Sequence, residues 1–244
     1  MIAADVVLPC LNEQDALLGV LRRLPAGFRP IVVDNGSTDN TARVAAAAGA
    51  LVVTEPRRGY GAAVHAGLLA ASAEYVCVLD ADGSMPPEVL PAMLEAVAAA
   101  SIGARSADAP LGADARSADA PLGVQLAVGR RRPVRAGVWP WHARAGNVLI
   151  AALLRRRGVP VHDIAPVRVA RRSDLLALGI EDRGSGYPLE LLLRAGAAGW
   201  RLREFDVPYS PRAGGVSKVS GSLRGTVKAA ANMTSVLGRV SSRA

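Results

Sequence analysis

The sequence is poor in aromatic residues and in cysteine, and both shortages limit what the protein can be. Only 4% of its 244 residues are aromatic, so the core must consist mainly of Ala, Val and Leu. Two cysteines do not make a disulfide framework in a chain of this size. Cys10 and Cys77 each lie in an apolar run that predicts a buried strand. We therefore expect reduced core thiols in a cytoplasmic protein.

Histidine and long apolar runs are also scarce, which argues against several classes of protein. The three histidines, His65, His142 and His162, have neither metal-ligand spacing nor a Ser or Cys partner as in a triad, so we expect structural or solvated side chains. No apolar run reaches the ~18 residues of a membrane span. The first residues lack the basic segment of a signal peptide, and we expect none.

Negative charge is in deficit, and this favours an anionic partner. The chain has 29 Lys and Arg against 21 Asp and Glu, a formal net charge of +8. Nucleic acid, an anionic membrane surface and phosphorylated small molecules all suit such a balance. Nucleic acid is the weakest of the three, because stacking residues are few and no zinc-ligand spacing occurs. We expect no nucleic-acid partner.

Short apolar runs alternate with helical patterns through the first hundred residues. Strands are predicted at residues 6–8, 31–33, 51–53 and 75–79, with helical spacing of apolar residues between them. This alternation predicts a mostly parallel, doubly wound open sheet with helices on both faces. Later strands are predicted at 124–128 and 200–209, with a short strand-like segment around Asp163 and Arg168, and later helices at about 87–100 and 144–157. Ser37 or Thr38 is predicted to cap the helix after the second strand.

Acids or amides follow three of these strands, and parallel strands end at a common edge. Open α/β sheets bind ligands just beyond that edge. The residues concerned are Asn12 and Glu13 after the first strand, Asp34 after the second, and Asp80 and Asp82 after the fourth. We therefore expect an acidic site along one edge of the sheet, with Asp80 and Asp82 facing solvent.

Asp80 and Asp82 are one residue apart, and Gly83 follows them. Two such carboxylates form a hard-oxygen site for Mg²⁺ or Mn²⁺, which would take its remaining ligands from water and phosphates. An ordinary strand-to-helix turn is the alternative, because Asp and Gly are common turn residues and Ser84 could cap the next helix. The motif alone leaves both interpretations open.

The segment ARSADAPLG occurs twice, at residues 104–112 and 115–123. Pro and Gly in each copy are incompatible with a helical repeat, and two copies cannot form a solenoid. We expect residues 104–123 to be a duplicated mobile loop within one domain of residues 1–219. Residues 220–244 predict an amphipathic helix that packs on the core or lies on a membrane.

The most basic segment follows the strand predicted at residues 124–128. It contains Arg130, further arginines up to Arg144, and the tryptophans Trp139 and Trp141. A run of charge is ordinarily a solvated face. Arginines beyond a strand end and beside tryptophans also suit a phosphate site near a membrane-facing surface.

Several blocks of sequence together resemble family 2 glycosyltransferases of the GT-A fold, particularly the dolichyl- and polyprenyl-phosphate sugar synthases. The resemblance covers nearly the whole chain. It is carried by VVLPCLNEQDAL, IVVDNGSTDNT, EPRRGYGAAVHAG and VLDADGSMPP, and later by GRR, HARAGN, GYPLELLLRA and VPYSPRAGGVSKVSG.

This resemblance implies a metal-dependent, inverting hexosyltransferase. Its donor would be a UDP- or GDP-sugar and its acceptor a lipid phosphate. It would be cytoplasmic, with peripheral contact at the inner face of the membrane through the Trp139/Trp141 segment and the terminal helix. The family's larger members add transmembrane helices after the basic lid, and we expect the form without them.

The resemblance also implies roles for individual residues. Asp80 and Asp82 would hold the metal on the donor diphosphate, with Asp82 the more important for catalysis. The donor pocket would be formed by Pro9, Asn12, Glu13, Asp34, Arg58, Gly61 and Asp80. The acceptor phosphate would contact Arg130 and Arg144, and a basic lid of Arg212, Ser217 and Lys218 would close on phosphates. Several relatives have a metal-contacting Gln where this chain has Ser84.

Other acceptors and other classes of protein lead to different expectations. A phosphate acceptor is already anionic and needs no strong base, whereas a hydroxyl acceptor would need Asp163 or Glu190 as general base. A sugar-nucleotide nucleotidyltransferase would carry a Gly-rich, Arg-containing loop where this chain has Cys10–Glu13. A non-catalytic membrane-binding protein would not explain acids at three strand ends.

Overall fold

The computed structural model describes residues 3–106, 123–164 and 166–214. The predictions for Ser217, Lys218 and the C-terminal helix lie outside these residues, as does nearly all of the duplicated segment. The strands are β1 (Ala4–Cys10), β2 (Phe28–Asp34), β3 (Leu51–Thr54), β4 (Tyr75–Val78), β5 (Leu126–Pro133), β6 (Arg168–Arg171) and β7 (Leu202–Tyr209). The helices are α1 (Gln14–Arg22), α2 (Thr41–Ala47), α3 (Tyr60–Ala70), α4 (Leu90–Ser106), α5 (Trp141–Arg156), α6 (Arg172–Ala177) and α7 (Tyr187–Ala197), with a short 3₁₀ helix at Pro87–Val89.

The seven strands form one open sheet in the order β3-β2-β1-β4-β6-β5-β7. Only β6 is antiparallel to its neighbours, β4 and β5. The first residue of β6, Arg168, is therefore paired with Val78, the last residue of β4, and with Val128 of β5. The predicted mostly parallel sheet is confirmed, and its single reversed strand brings an arginine to the edge where the other strands end.

Helices cover both faces of the sheet, as the sequence predicts. One core cluster contains apolar residues of α1, α2 and α4, including Leu17, Ala45 and Met93. The other contains residues of α3, α5, α6 and α7, including Leu68 and Leu192. Strand residues alternate between the two clusters because successive side chains point to opposite faces. Both cysteines are buried free thiols, as expected.

The boundaries in the basic segment differ from the predicted ones. β5 continues to Pro133, so Arg130, Arg131 and Arg132 lie within the strand and not beyond it. The reason is β7, which pairs in parallel with β5 over its whole length, from Leu126 to Pro133. An Arg132–Asp206 ion pair spans the two strands at 2.8 Å. The following helix, α5, begins at Trp141, three residues before the predicted start.

Two smaller predictions are also wrong. Neither Ser37 nor Thr38 caps α2, which begins at Thr41 with the Asp39 carboxylate accepting the Thr41 backbone N–H. Asp163 lies in the loop before β6 and not in a strand. Within the described residues, no helix is long and apolar enough to cross a membrane.

Candidate active site

The carboxyl ends of β1, β2, β4, β5 and β7 lie at one edge of the sheet, together with the start of β6. The acids predicted for this edge come from the first three of these strands. The arginines come from the remaining three. The sheet order therefore brings an acidic row and a basic row side by side, where an α/β sheet ordinarily binds its ligand.

The turn after β4 carries Asp80 and Asp82 at the middle of this edge. Gly83 has a φ of +73°, a conformation that favours glycine. Asp82 is buried, contrary to the expectation of a solvent-facing pair, and its Oδ1 accepts the Ser84 backbone N–H at 2.8 Å. Removal from water and the Asp82 carboxylate raise the pKa of Asp80 to about 7.

This turn fits a divalent cation that has other ligands besides the protein. Two carboxylates are held one residue apart, and burial together with repulsion from Asp82 raises the pKa of Asp80, effects that a bound cation would offset. Among the described residues, no group of three or more His, Cys, Asp or Glu could hold a metal. Asp80 and Asp82 are thus the side chains that could hold Mg²⁺ or Mn²⁺, with phosphate or water completing its coordination.

Arg212 bridges two acids of the edge. Its Nη1 lies 3.0 Å from Asp82 Oδ2, and its Nη2 donates to Glu13 Oε1 at 2.7 Å. Two backbone hydrogen bonds hold the same segment against the acidic turn: Ala213 N–H donates to the Asp82 carbonyl and Ser210 N–H to the Ser84 carbonyl. The chain after β7 is therefore docked on the metal-binding candidates. Ser84 contributes through its backbone.

The loops after β1 and β2 are tied together by side chains. Asn12 adopts a left-handed φ of 58°, which Asn tolerates better than most residues, and its Oδ1 accepts the Thr38 N–H at 2.7 Å. The Asp34 carboxylate accepts the Ser37 N–H at 2.9 Å. Pro9 lies within β1, opposite Val33 of β2. These contacts fix the shape of the loops after β1 and β2, which lie beside the acidic turn.

Asn35, which the sequence did not single out, shapes the turn before α3. Its Nδ2 donates to the carbonyls of Glu55 and Arg57, both at 2.8 Å, and its Oδ1 accepts the Gly59 N–H at 2.7 Å. The exposed Arg58 side chain donates to the Gly36 carbonyl at 3.1 Å. The turn and the loop after β2 therefore form one unit.

Gly61 has a packing role in the structure. A Cβ at this position would lie 2.5 Å from the Asp182 carbonyl oxygen and 2.8 Å from the Tyr187 Cβ. Its N–H donates to the Gly184 carbonyl at 3.0 Å. The glycine thus allows α3 to pack closely on the segment before α7. This contact does not support the direct donor contact expected from sequence.

The basic half of the edge surrounds a cavity of about 390 Å³. Arg130 and Arg144, which come from different elements, both line it. The other polar residues of its wall are Arg131, Arg132, Arg135, Asn147, His162 and Asp163. We call this cavity the arginine pocket. Five guanidinium groups around one cavity suit a phosphate or another oxyanion.

Arg131 connects the arginine pocket to the acidic turn. Its guanidinium lies 4.0 Å above the Trp139 ring centroid and 5.6 Å from that of Tyr209, with Trp139 and Tyr209 in edge-to-face contact. Tyr209 is the last residue of β7, and Arg212 follows it three positions later in the chain. The pocket wall and the bridge over Asp82 are therefore continuous along the chain.

The two residues considered as general bases are both engaged in ion pairs. Asp163 is 1% exposed and forms a two-pronged pair with Arg131, Oδ1 to Nη2 at 2.7 Å and Oδ2 to Nε at 2.9 Å. Glu190 is 2% exposed, and its carboxylate accepts the N–H groups of Glu181 and Asp182 and the Arg194 guanidinium. These contacts fit structural roles and do not support a base.

Arg168 is another edge residue that the sequence did not single out. It is 1% exposed, and its guanidinium donates to the Ile164 carbonyl at 2.8 Å and to the Tyr60 hydroxyl at 3.3 Å. Among the described residues, nothing accepts a hydrogen bond from its Nε–H. A charged residue inside the apolar run VRVA was the available signal, because an arginine is rarely buried without a partner.

Comparison with known proteins agrees with this geometry. Residues 5–106 match the family described as Glycosyl transferase family 2. An uncharacterized glycosyltransferase of Mycobacterium tuberculosis is 56% identical over 226 residues, covering 92% of this chain and 93% of that protein. The polyprenol monophosphomannose synthase of Mycolicibacterium smegmatis is 31% identical, covering 89% and 81%.

Solved structures share the fold. Glucosyl-3-phosphoglycerate synthase from Mycobacterium tuberculosis, in complex with Mn²⁺, UDP and glucosyl-3-phosphoglycerate, superposes with a TM-score of 0.68 at 21% identity. The match covers 97% of this chain and 79% of that one. Together with the relatives at 56% and 31% identity, this confirms the expected fold and class. The chain belongs to glycosyl transferase family 2 and is a glycosyltransferase.

Proposed function

We propose that the protein transfers a hexosyl group from a nucleotide-diphosphate sugar to the phosphate of a polyprenyl-type lipid, with Mg²⁺ or Mn²⁺ and with inversion at the anomeric carbon. The observation that carries this proposal is the arginine pocket beside the Asp80–Asp82 turn. A donor diphosphate and an acceptor phosphate are both anions. The acidic half of the edge would bind the donor diphosphate through the metal, and the basic half would bind the acceptor phosphate.

The acidic half is the donor side in this proposal. Asp80 and Asp82 hold the divalent metal, which supplies a positive charge for the diphosphate leaving group. Asn12, Glu13 and Asp34 stand where the nucleoside would lie, with Pro9, Arg58 and Gly61 shaping the surrounding loops. A structural relative of the same fold is known with Mn²⁺ and UDP, which supports a nucleotide donor.

The basic half is the acceptor side. Arg130 and Arg144 contact the acceptor phosphate, and the Asp163 carboxylate holds Arg131 in the pocket wall at 2.7 Å. Arg212, with Lys218 on the continuing chain, neutralises charge on the phosphates as the leaving group forms, and Ser217 donates a hydrogen bond to them. The 31% identical polyprenol monophosphomannose synthase supports a polyprenyl acceptor by its name. The membrane contact that such an acceptor requires is part of the proposal.

The chemistry of this transfer needs no general base. An oxygen of the acceptor phosphate forms the new bond to the anomeric carbon, and the bond from that carbon to the donor diphosphate breaks. The electron pair leaves with the nucleoside diphosphate, and a single displacement inverts the centre. A phosphate monoester is already anionic near neutral pH, so no proton has to be removed. The engagement of Asp163 and Glu190 in ion pairs agrees with this.

A soluble acceptor that carries a phosphate is the second candidate, since the arginine pocket would suit its phosphate equally well. Glucosyl-3-phosphoglycerate synthase, the structural relative, is of this kind by its name. With a soluble acceptor of this kind, the sugar would be transferred to a hydroxyl group, and that transfer requires a general base. The two carboxylates considered for that role are held by Arg131 and by the loop before α7. This favours the lipid phosphate.

The test is to identify the product. Purified protein is incubated with a panel of UDP- and GDP-sugars, Mn²⁺ and a detergent-solubilised polyprenyl phosphate, and the lipid fraction is examined by mass spectrometry. We expect a glycosylated lipid phosphate with one of the donors and none when the metal is chelated. Sugar recovered only on a soluble phosphorylated alcohol in a parallel reaction would support the second candidate instead.

A further inference from the structure

Exposed apolar side chains are concentrated beside the arginine pocket. Among the described residues, six large hydrophobic side chains are exposed, and four of them lie on α5 or directly after β5. Trp141 is 81% exposed, Leu149 63%, Val148 55% and Val134 54%. The other two, Leu51 and Leu69, lie on β3 and α3. Single exposed hydrophobic residues are normal, whereas a cluster of four marks an interaction surface.

The cluster on α5 follows a helical period. Trp141, Ala145, Val148 and Leu149 stand at positions i, i+4, i+7 and i+8, and all four are exposed. Residues with this spacing form one stripe along a helix. The buried residues of α5 are Asn147, Ala151 and Leu154, which lie on another face of the helix. We call the exposed residues the α5 stripe. It is the apolar face that α5 turns away from the core.

The segments that carry and precede the α5 stripe contain basic residues and no acidic ones. Helix α5 contains three arginines and neither Asp nor Glu, and the loop from Val134 to Pro140 adds Arg135 with no acid. Val148 belongs to the stripe and also lines the arginine pocket. The apolar surface, its basic rim and the opening of the pocket are therefore one continuous area.

We propose that the α5 stripe docks on an anionic lipid bilayer, with its apolar side chains among the acyl chains and its arginines at the headgroups. An amphipathic helix with Trp and Leu on one side and arginines beside them is suited to lie in a membrane interface. This inference rests on the proposed function, since docking would bring the pocket to the level of a lipid phosphate. Trp139 is outside the docking surface, contrary to expectation, because it stacks on Arg131.

A second copy of the chain fits this surface less well than a bilayer. In a two-fold symmetric dimer the same patch meets itself, so the arginines of both copies would face each other without acids to pair with. Anionic headgroups supply the opposite charge, and acyl chains bury the apolar stripe. Charge complementarity therefore favours lipid as the occupant.

The test is vesicle flotation with the full chain and a matched pair of variants. Leu149→Gln removes an exposed leucine of the stripe, and Leu69→Gln removes a helical leucine of similar exposure elsewhere, 58% against 63%. Neither residue lines the arginine pocket. With vesicles that contain phosphatidylglycerol, we expect Leu149→Gln to lower the partition coefficient about tenfold and Leu69→Gln to leave it unchanged. Wild-type binding should weaken in neutral phosphatidylcholine vesicles and at high salt.

Equal flotation of Leu149→Gln and wild type would overturn the inference, as would a loss of self-association in Leu149→Gln that accounts for its weaker flotation. A readout on a water-soluble short-chain polyprenyl phosphate separates this inference from the proposed function. Leu149→Gln should transfer sugar to that acceptor at the wild-type rate. Stripe-dependent flotation without any transfer to lipid phosphate would contradict the proposed function while supporting the docking surface.

Discussion

Arg212 Nη1 lies 3.0 Å from Asp82 Oδ2, so a cation of the protein itself occupies one side of the carboxylate that we assign to the metal. The same guanidinium reaches Glu13, and within the described residues its Nε–H has no hydrogen-bond partner. A buried donor without a partner is costly and suits an anionic ligand. Arg212 thus stands between the metal site and the phosphates that the metal would accompany.

Replacing Arg212 by Ala should therefore have opposite effects on the two ligands. The affinity of the donor-free protein for Mn²⁺ should rise about fivefold, because an ion pair worth ~1 kcal/mol no longer competes for Asp82. The affinity for a nucleoside diphosphate with Mn²⁺ should fall. Isothermal titration measures both, with Arg22→Ala on α1 as the matched control. Weaker Mn²⁺ binding by Arg212→Ala would show that the arginine supports the site and does not compete for it.

Asp80→Asn and Asp82→Asn should each remove most transfer activity and leave the melting temperature close to that of wild type. Asn keeps the oxygen that accepts the Ser84 N–H, so the turn can persist, but it loses the charge that a divalent cation requires. We expect the larger loss for Asp82. Turnover at saturating Mn²⁺ and thermal denaturation are the measurements. Wild-type turnover in both variants would exclude the metal assignment.

Arg130→Ala and Arg144→Ala should raise the half-saturation concentration for the acceptor by about one to two decades each. A charge-assisted phosphate contact is worth ~1.5–3 kcal/mol, which corresponds to that factor. The KM for the donor should change little, since both arginines line the pocket on the basic side. Arg22→Ala controls for the loss of one positive charge. An equal rise in donor KM would mean that the arginine pocket is not a separate acceptor site.

Asp5 links the stability of the fold to pH. Burial alone would raise the pKa of Asp5, but hydrogen bonds from Arg29 and from the N–H groups of Ala73 and Ser72 outweigh it and hold the pKa below its ordinary value. The depressed pKa means that this stabilisation is complete above the unfolded-state value of ~4. It is lost as the pH falls through the lower, folded-state value.

Asp5→Asn should accordingly lower the free energy of unfolding by about 2 kcal/mol at neutral pH. It should also flatten the decline in stability below pH ~4, because the titrating group is absent. Urea denaturation between pH 3 and pH 7 tests both effects. A variant that declines with acid as steeply as wild type would show that other carboxylates dominate.

The acidic edge can be predicted from sequence because its causes are local. A buried run such as YVCV followed directly by DADG indicates a strand and the acids at its end. Three such strand ends in one parallel sheet must lie along the same edge. Asp34, Asp80 and Glu13 therefore lie at the predicted edge, although their ligands stay a proposal.

The basic half depends on long-range pairing that no local pattern reveals. Arg168 reaches the edge only because β6 runs against β4 and β5. The arginines after Gly129 are typical of a solvated face, yet they continue a strand because β7 pairs with them. Arg131 and Asp163 are 32 positions apart in the chain. The sequence therefore did not reveal that Asp163, considered as a general base, is held in an ion pair.

The most direct test of the proposed function compares three acceptors with wild-type protein, one productive donor and Mn²⁺. These are a polyprenyl phosphate, the free polyprenol of the same chain length, and a soluble phosphorylated alcohol. We predict transfer to the polyprenyl phosphate and none to the free polyprenol, because the phosphate oxygen needs no base and Asp163 and Glu190 are both held in ion pairs. Faster transfer to the free polyprenol or to the soluble alcohol would contradict the lipid-phosphate assignment.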